Sequence, residues 1–514
     1  MKRREVLLAA AAGALQASIP SGAAAAVTAT AGEALGELAE LSLADASRQI
    51  RQGAVTSREL TLACLARTEV ENPRINAFIT VMREQALAQS DLLDAEARQG
   101  KFRSALHGIP IALKDAIDTA GTPTTAASAI FKHRIPEQDA EVVRRLRDAG
   151  AIIFAKANLG EFSLTPTGVT SYFGPTRNPW ALDRVTGASS SGSGAAVAAR
   201  MCFAALGTDS GGSVRIPAAW CGLVGLKPTD GLVSNRGIIP SVATLDSCGP
   251  MARSVEDVAL VFGPMVGYDA LDTRSVARPA EDYALVAQQS VQPLRVGVPR
   301  QGFYQELEPE IASSMEQALA VITGLTAGLR EVTLPPETEA HDVLINIAEV
   351  CSYHAEFLAQ QADQYQPRTR KILQWCMDYL EDPAQGTPTA KLARYIEARE
   401  AITRLRRSVD GLFTDYDVLV LPTLKASPPT IAAALQFENN ATAEDPPMFS
   451  INNTATFNRL GLPALTVPCG ITRSGLPIGL MICGPRFSEG RLLALGAAYQ
   501  RATDWHEKRP APGD

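Results

Sequence analysis

The chain has little histidine, with only five residues in 514. None of them stands in an H-E-x-x-H or H-x-H spacing, and the cysteines show no C-x-x-C spacing. These spacings are the ones in which zinc-binding side chains are commonly found. The sequence therefore contains no visible zinc ligand set, and we expect neither a metal nor another cofactor.

Basic runs and long apolar runs are also missing beyond the N-terminal leader. The formal net charge is -7, and no cluster of lysine and arginine continues through the chain. A surface that follows nucleic-acid phosphates is therefore not indicated. No later run reaches the roughly twenty apolar residues that a membrane span needs. We expect no nucleic-acid partner and no stable membrane insertion, and a monomer or homodimer that acts on a small molecule.

The cysteines are spread through apolar surroundings. An even number in an exported chain permits disulfides, but buried free thiols are the favoured interpretation in so large a core. The eight residues are Cys64, Cys202, Cys221, Cys248, Cys351, Cys376, Cys469 and Cys483.

The N-terminal leader has the composition of an export signal. Lys2, Arg3 and Arg4 precede an apolar run at 6–15, and a tract of small residues follows at 22–27. An apolar run of about ten residues is too short to span a bilayer. We predict a twin-arginine-like signal peptide over 1–26 and an exported protein, periplasmic or secreted. An ordinary Sec signal and an uncleaved anchor are the alternatives.

Short apolar runs alternate with helical patterns along the rest of the chain, and this alternation predicts an α/β sheet covered by helices. Thr56 and Glu59 form a predicted capping box, and 300–410 is a candidate helical lid or pocket wall. The apolar runs lie at 75–82, 109–114, 151–156, 203–207, 294–298, 417–421, 464–467 and 478–483.

Two serine-bearing glycine turns flank an apolar run in GASSSGSGAAVAARMCFAALGTDSGGSVRIPA, residues 187–218. Consecutive glycines let backbone N–H groups converge on one point, which is the geometry of an anion-binding nest. Ser213 ends such a turn, so its hydroxyl would lie beside a hole for a tetrahedral oxyanion. The candidate donors are the N–H groups of Ser210, Gly211, Gly212 and Ser213.

A serine nucleophile needs a base, and neither glycine turn carries a histidine. The G-x-S-x-G elbow is also absent. Lys114 follows an apolar strand in GIPIALKDAIDTAG, and desolvation there would lower its pKa from about 10.4. Ser189, in the first turn, could relay the proton to it.

Each of these features also has a simpler interpretation. A Gly/Ser-rich loop is more often a flexible connection, and a lysine at a strand end is more often solvated. Gly222 to Lys227 reads GLVGLK, which fails the spacing of a phosphate-binding loop. Only the joint pattern favours catalysis.

These residues resemble the amidase signature family, whose motif is matched from Gly187 through Ala218. The resemblance extends to LHGIPIALKDAIDTAG, DAEVVRRLRDAGAIIFAKANLGEF, CGLVGLKPTDGLVS and GLPALTVPCG. It implies one large α/β domain over 27–514 with a mixed central sheet.

The resemblance also implies a Ser-cis-Ser-Lys triad. Ser213 corresponds to the acylated nucleophile, Ser189 to the bridging serine after a cis peptide bond, and Lys114 to the base. The supporting residues that match the family are Ser190, Asp209 and Arg215. The expected activity is hydrolysis of a carboxylic amide, an aryl or peptide amide, or a carbamate through an acyl-enzyme without a cofactor.

The family also contains glutamine-hydrolysing subunits of tRNA amidotransferases, and a non-catalytic binding protein on the same fold is a further alternative. In an ungapped reading from Gly461, the substrate-binding aspartate of those subunits falls on Ile451. Together with the export signal and the acidic charge balance, this mismatch favours a free-standing exported amidase. Pocket walls are predicted at 165–173 and within 340–450. Five apolar or aromatic side chains in the second segment or shortly after it could contact an apolar substrate or simply pack in the core. These side chains are Trp375, Tyr379, Met448, Phe449 and Phe457.

Overall fold

The computed structural model describes residues 34–279, 281–334, 339–442 and 448–511. The predicted signal peptide lies outside these residues. The strands are β1 (Phe78–Val81), β2 (Pro110–Lys114), β3 (Ile152–Ala157), β4 (Arg177–Asn178), β5 (Ala181–Val185), β6 (Ala204–Asp209), β7 (Val224–Lys227), β8 (Ser247–Ala252), β9 (Val296–Val298), β10 (Leu329–Glu331), β11 (Val418–Pro422), β12 (Ala464–Ile471) and β13 (Pro477–Cys483).

Helices cover the strands, and residues 34–40 are helical as well. The helices are α1 (Leu43–Arg51), α2 (Ser57–Ile75), α3 (Arg83–Arg98), α4 (Glu141–Asp148), α5 (Ser191–Ala198), α6 (Arg215–Trp220), α7 (Val255–Met265), α8 (Tyr283–Val286), α9 (Arg300–Phe303), α10 (Pro309–Leu325), α11 (Glu339–Gln361), α12 (Pro367–Glu381), α13 (Pro388–Ser408), α14 (Ile431–Asn440), α15 (Asn452–Arg459) and α16 (Glu489–Ala502). Short 3-10 turns lie at Glu161–Ser163, Ala362–Gln364, Pro383–Gln385, Val409–Phe413 and Trp505–Glu507.

One mixed sheet organises the described residues. Eleven strands pair in the order β1-β3-β2-β6-β8-β7-β12-β13-β11-β9-β10, and β4 pairs with β5 in a separate hairpin. Strand β2 runs parallel to β3 and β6, whereas β8 runs antiparallel to β6 and β7. The predicted α/β fold with a mixed central sheet covered by helices is confirmed.

Every predicted apolar run overlaps a strand, but the boundaries differ. The first run begins at Ile75, yet β1 begins only at Phe78. Ile75 is the last residue of α2, and Asn76 ends that helix in the left-handed conformation with φ 57°. The capping box at the other end of α2 is confirmed. The Glu59 backbone N–H donates to the Thr56 side-chain hydroxyl, and the Thr56 backbone N–H donates to the Glu59 carboxylate.

The segment predicted as a helical lid or pocket wall, 300–410, contains helices α9 to α13. Helix α11 packs against α12 and α13, and its buried residues include Ile345 and Val350. No helix of the described ranges is long and apolar enough to cross a membrane. All eight cysteines are buried and none forms a disulfide bond, in agreement with the free-thiol interpretation.

The parallel strands determine where the chemistry-bearing residues meet. Strand β2 ends at Lys114 and β6 ends at Asp209. Because the two strands are parallel neighbours, their carboxyl ends lie at the same edge of the sheet, where open α/β sheets commonly bind ligands. The glycine-serine turns before α5 and before α6 also lie at this edge.

Candidate active site

Lys114 lies at the end of β2 and is fully buried. Its Nζ donates to Ser189 Oγ at 2.7 Å and to Thr208 Oγ1 at 2.7 Å. The predicted contact between the lysine and the bridging serine is therefore present, and Thr208 is an additional partner.

Burial sets the charge of this lysine. Burial lowers the pKa of Lys114 to about 7, although Asp246 and Asp209 favour the protonated form. A lysine with this pKa is partly neutral near neutral pH, and the neutral amine can accept a proton. The direction of the shift agrees with the prediction from the apolar strand.

Ser189 and Ser190 lie in the first glycine-serine turn, and the Ala188–Ser189 peptide bond is cis. This agrees with the implication of the resemblance. Ser189 is almost completely buried. The backbone N–H of Ser190 donates to the Ser213 carbonyl at 3.3 Å, and its hydroxyl donates to the Thr208 carbonyl at 3.2 Å. Ser190 thus joins the two turns and β6.

Ser213 lies in the second turn and is partly exposed, unlike Lys114 and Ser189. Gly212 precedes it with φ 132°, and a Cβ at this glycine would lie 2.4 Å from Thr454 Oγ1. The turn therefore requires glycine both for its backbone conformation and for the close approach of α15. The more exposed serine is the one that a substrate can reach.

The Gly212 N–H already has an acceptor, because it donates to Asp209 Oδ1 at 2.8 Å. The other predicted oxyanion donors, the N–H groups of Ser210, Gly211 and Ser213, belong to the same turn. The Ser210 hydroxyl donates to Asp246 Oδ1 at 2.5 Å. This bond fastens the turn to the buried carboxylate of Asp246.

Asp209 and Arg215 form a fully buried ion pair, with Arg215 Nη2 at 2.9 Å from Asp209 Oδ1. Burial alone would raise the pKa of Asp209, but the charge and hydrogen bonds of Arg215 and the amide of Asn458 outweigh it and hold the pKa below its usual value. The Arg215 guanidinium also donates to the Thr454 carbonyl at 2.8 Å and to Asn458 Oδ1 at 2.6 Å. The pair therefore fastens the Ser213 turn to α15.

Sequence reasoning missed four residues that contact the triad or its turns: Thr208, Asp246, Thr454 and Asn458. Thr208 had a signal, because it immediately precedes Asp209 in the glycine-rich motif. Asn458 had none, because it is 249 residues from Asp209 and yet donates to the Asp209 carbonyl at 2.9 Å.

An apolar wall lies beside the Ser213 turn. Ile451 Cδ1 would be 3.7 Å from a Cβ built on Gly211. Met448, Phe449 and Ile451 pack against the buried cluster that contains Trp220, and the ring centroids of Trp220 and Phe449 are 4.6 Å apart. The predicted positions Met448 and Phe449 therefore adjoin the wall.

The remaining predicted wall residues pack elsewhere. Phe457 is fully buried in a cluster with Leu419 and Leu421, and Trp375 and Tyr379 pack around Cys376 within the lid helices. For these three side chains the structure agrees with the core-packing alternative.

The predicted wall at 165–173 borders Ser189. Pro166 accepts a hydrogen bond from the Ala188 N–H at 3.0 Å, and a Cβ on Gly168 would lie 2.8 Å from the Ser191 Cβ. Glu438 of α14 accepts hydrogen bonds from the Thr167 and Thr170 hydroxyls. This segment is thus held between the Ser189 turn and α14.

Among the described residues, no group of three or more His, Cys, Asp or Glu side chains could hold a metal ion. The acid-base groups of the site are a buried lysine and two serines at the carboxyl edge of the sheet. A partly exposed serine in a glycine turn, with a serine-lysine pair behind it, defines a class of serine hydrolases that use lysine in place of histidine.

The chain belongs to the amidase family, whose model matches residues 59–493. It is therefore a serine amidohydrolase, an enzyme that acts on the C–N bond of amides. A glutamyl-tRNA(Gln) amidotransferase subunit from Roseiflexus sp. (strain RS-1) is 38% identical to it over 495 residues, covering 92% of this chain and 98% of the relative.

Two solved structures are similar over most of the chain. The 6-aminohexanoate cyclic dimer hydrolase complexed with substrate has a TM-score of 0.80 at 28% identity, covering 92% of this chain and 99% of that chain. The peptide amidase from Stenotrophomonas maltophilia has a TM-score of 0.76 at 31% identity, covering 91% and 98%. The relatives thus include amide hydrolases as well as a component of an amidotransferase.

Proposed function

We propose that this enzyme hydrolyses a carboxamide through an acyl-enzyme on Ser213. The observation that carries the proposal is the 2.7 Å contact of Ser189 Oγ with Lys114 Nζ. A neutral Lys114 accepts the Ser189 proton while Ser189 takes the proton of Ser213. The Ser213 oxygen can then attack the amide carbon.

The remaining steps return the protons. When the C–N bond breaks, the leaving nitrogen takes a proton through Ser189 from the Lys114 ammonium. Water then attacks the ester on Ser213 while the same relay accepts its proton. The relay returns that proton to the Ser213 oxygen as the ester C–O bond breaks, so the carboxylic acid leaves and the free serine and neutral lysine are restored. The N–H groups of Ser210, Gly211 and Ser213 are the proposed donors to the oxyanion. Such a donor typically lowers the barrier by about 2.7 to 4 kcal/mol.

Trapping the ester tests this mechanism. The wild-type enzyme is incubated briefly with an amide that it hydrolyses and is then quenched with acid. We expect the peptide that contains Ser213 to gain the mass of one acyl group. Ser213→Ala should lose both the adduct and turnover. Ser408→Ala is the matched control, because this exposed hydroxyl lies at the end of α13 and donates only to the Leu405 carbonyl. Full turnover by Ser213→Ala would refute the proposal.

For the identity of the amide, the relatives support L-glutamine. The similarity to the glutamyl-tRNA(Gln) amidotransferase relative covers nearly the whole chain at 38% identity. On this proposal the enzyme releases ammonia from glutamine as one component of a larger amidotransferase. Ammonia release from L-glutamine, measured for the purified chain and for any complex that co-purifies with it, tests this assignment.

The apolar wall favours a second candidate, an uncharged apolar amide. Ile451 lies against Gly211 of the nucleophile turn, at the position where the amidotransferase resemblance has an aspartate. An isoleucine cannot pair with the ammonium group of glutamine, whereas it can contact an alkyl or aryl substituent.

The two candidates predict opposite selectivities. We would compare kcat/KM for L-glutamine with that for phenylacetamide, which has an aryl group and no charge. The apolar substrate is supported if the wild-type enzyme prefers phenylacetamide and if this preference, the ratio of the two kcat/KM values, falls at least about tenfold in Ile451→Asp because the apolar contact is lost. A preference for L-glutamine in the wild-type enzyme supports the amidotransferase role.

A further inference from the structure

A cavity lies away from the active site, between the end of α2, the residues after α5 and the C-terminal segment. Its volume is about 260 Å³. We call it the arginine cleft, because its charged lining consists of Glu40, Arg67, Glu71, Arg74, Arg200 and Arg509.

The arginine cleft is separate from the catalytic residues. Helix α5 begins directly after Ser190 and runs for eight residues, and Arg200 follows its other end. With a rise of 1.5 Å per residue, the helix places about 12 Å between the Ser189 turn and the cleft. The described lining of this cavity includes no triad residue and no proposed oxyanion donor.

Positive charge is in excess in the arginine cleft. Four arginines face two glutamates, so two positive charges are uncompensated among the described lining residues. The whole chain carries a net charge of -7, and this local excess is therefore opposite to the overall composition. An adjoining cavity shares Arg200 and Arg509 and adds Arg253 and Lys508.

Most of the cleft's guanidinium donors are not used by its glutamates. Glu40 contacts Arg67 Nη2, Arg200 Nε and Arg509 Nη1, each at 2.9 Å. Each contact uses one nitrogen, whereas a guanidinium carries five N–H groups. Three arginines therefore surround one carboxylate, and their other N–H groups remain for a further acceptor.

The arginines also repel one another. Burial, followed by the charge of Arg253, lowers the pKa of Arg200 to about 10, and Arg509 and Arg67 act in the same direction. Like charges in a partly buried cavity destabilise each other, and a bound anion would relieve that repulsion.

We propose that the arginine cleft binds a small phosphate dianion, either free phosphate or a phosphomonoester. The two uncompensated charges match a dianion, and guanidinium groups bind phosphate oxygens with paired hydrogen bonds. Ile75, Leu182 and Pro510 provide an apolar part of the lining, which can contact the organic group of an ester.

Calorimetric titration of the full chain at pH 8 and constant ionic strength tests this site. The probes are inorganic phosphate and phenyl phosphate, which separate the two sources. We expect saturable binding. If the ligand is a phosphomonoester, phenyl phosphate should bind more tightly than inorganic phosphate; if the ligand is free phosphate, the two probes should bind equally. Arg67→Met and Arg509→Met should each weaken binding at least about fivefold.

A variant of opposite sign keeps the test independent of folding defects. Glu40→Gln removes a negative charge that competes for the arginines, so it should tighten binding. Arg473→Met is the control, because Arg473 is 97% exposed and pairs with Glu310 outside the cleft. Amide hydrolysis should be unchanged in all four variants. Absence of saturable binding, or arginine variants that bind like the wild type, would overturn the proposal.

Discussion

The protonation of one side chain, Lys114, controls the proposed chemistry. Burial lowers its pKa, and the carboxylates of Asp246 and Asp209 partly oppose this effect. The position of Lys114 after an apolar strand predicts burial and therefore the direction of the shift. The resemblance placed Asp209 among the supporting residues. Asp246 could not be predicted as a neighbour, because it directly precedes β8, a strand that the sequence did not predict.

Neutralising Asp246 should change the pH dependence of catalysis. As a base Lys114 must be neutral, so kcat/KM should rise with pH through about 7. Asp246→Asn removes a charge that favours the ammonium form, and the acid limb should move to lower pH by about 0.5 to 1 unit. Rates measured from pH 5 to pH 10 would show the shift. Asp183→Asn, at an exposed position, is the control. An acid limb that stays in place or moves to higher pH in Asp246→Asn would contradict the assignment of Lys114 as the base.

Helices contribute to the site by holding loops and turns in place. Helix α14 holds the wall at 165–173 through the buried Glu438, which accepts from Thr167 and Thr170. Helix α5 carries the first glycine-serine turn and packs so closely that a Cβ on Gly192 would lie 2.2 Å from the Ala77 carbonyl oxygen. These contacts make both helices sensitive to small substitutions.

The contribution of Glu438 to stability should depend on pH. Burial raises the pKa of Glu438 from 4.5 to about 7, against the hydrogen bond of Thr167 and the charge of Arg368. Between these values the folded chain binds more protons here than the unfolded chain, so stability should fall as pH rises. Glu438→Gln should lack this dependence.

Chemical denaturation of both proteins from pH 4.5 to pH 8 would measure the effect. The free energy of unfolding of the wild type, relative to Glu438→Gln, should decrease up to about pH 7 and stay constant above it. Glu397→Gln, on the exposed part of α13, should follow the wild type. A constant difference between wild type and Glu438→Gln would contradict the raised pKa.

Two helical glycines should respond in opposite ways to alanine. Gly192→Ala places a methyl group against the Ala77 and Asn158 backbones and should destabilise the protein by about 1 to 3 kcal/mol. Gly324 of α10 is exposed, and no residue outside its own helix lies within 4 Å of its would-be Cβ, so Gly324→Ala should stabilise by up to about 1 kcal/mol. Thermal unfolding measures both. Equal effects would show that the packing of α5 is looser than described.

The molecule as a whole assembles its site from distant parts of the chain. Lys114 ends β2, the two glycine-serine turns flank β6, and Asn458 comes from α15. The wide mixed sheet brings these segments to one edge. The predicted leader lies outside the described residues.

We propose that residues 1–26 direct export of the folded enzyme. Arg3→Lys together with Arg4→Lys should retain the full-length protein in the cytosol, because a twin-arginine signal depends on both arginines. Fractionation and N-terminal sequencing of the wild type would show a shortened chain outside the cytosol. Wild-type protein with an intact leader in the cytosol would contradict export and favour the amidotransferase alternative.

Local patterns in the sequence were enough to predict the capping box, most strands and the contact of Lys114 with Ser189. Their information lies in neighbouring residues, through hydrophobic periodicity and the conformational needs of glycine turns. Strand β8 was not predicted, because Gly249 and Pro250 within it disfavour strand structure. It forms because antiparallel pairing with β6 and β7 buries it between neighbours.

The contacts of Asp246 and Asn458, the placement of Phe457 in the core and the arginine cleft were decided only by tertiary structure. The Ser210–Asp246 bond joins residues 36 apart, and the Asp209–Asn458 bond joins residues 249 apart. The order of strands in the sheet sets which distant segments meet, and neighbouring residues do not encode that order by themselves. The sequence therefore determined the chemistry of the catalytic groups, whereas packing decided their charges, their supports and the walls around them.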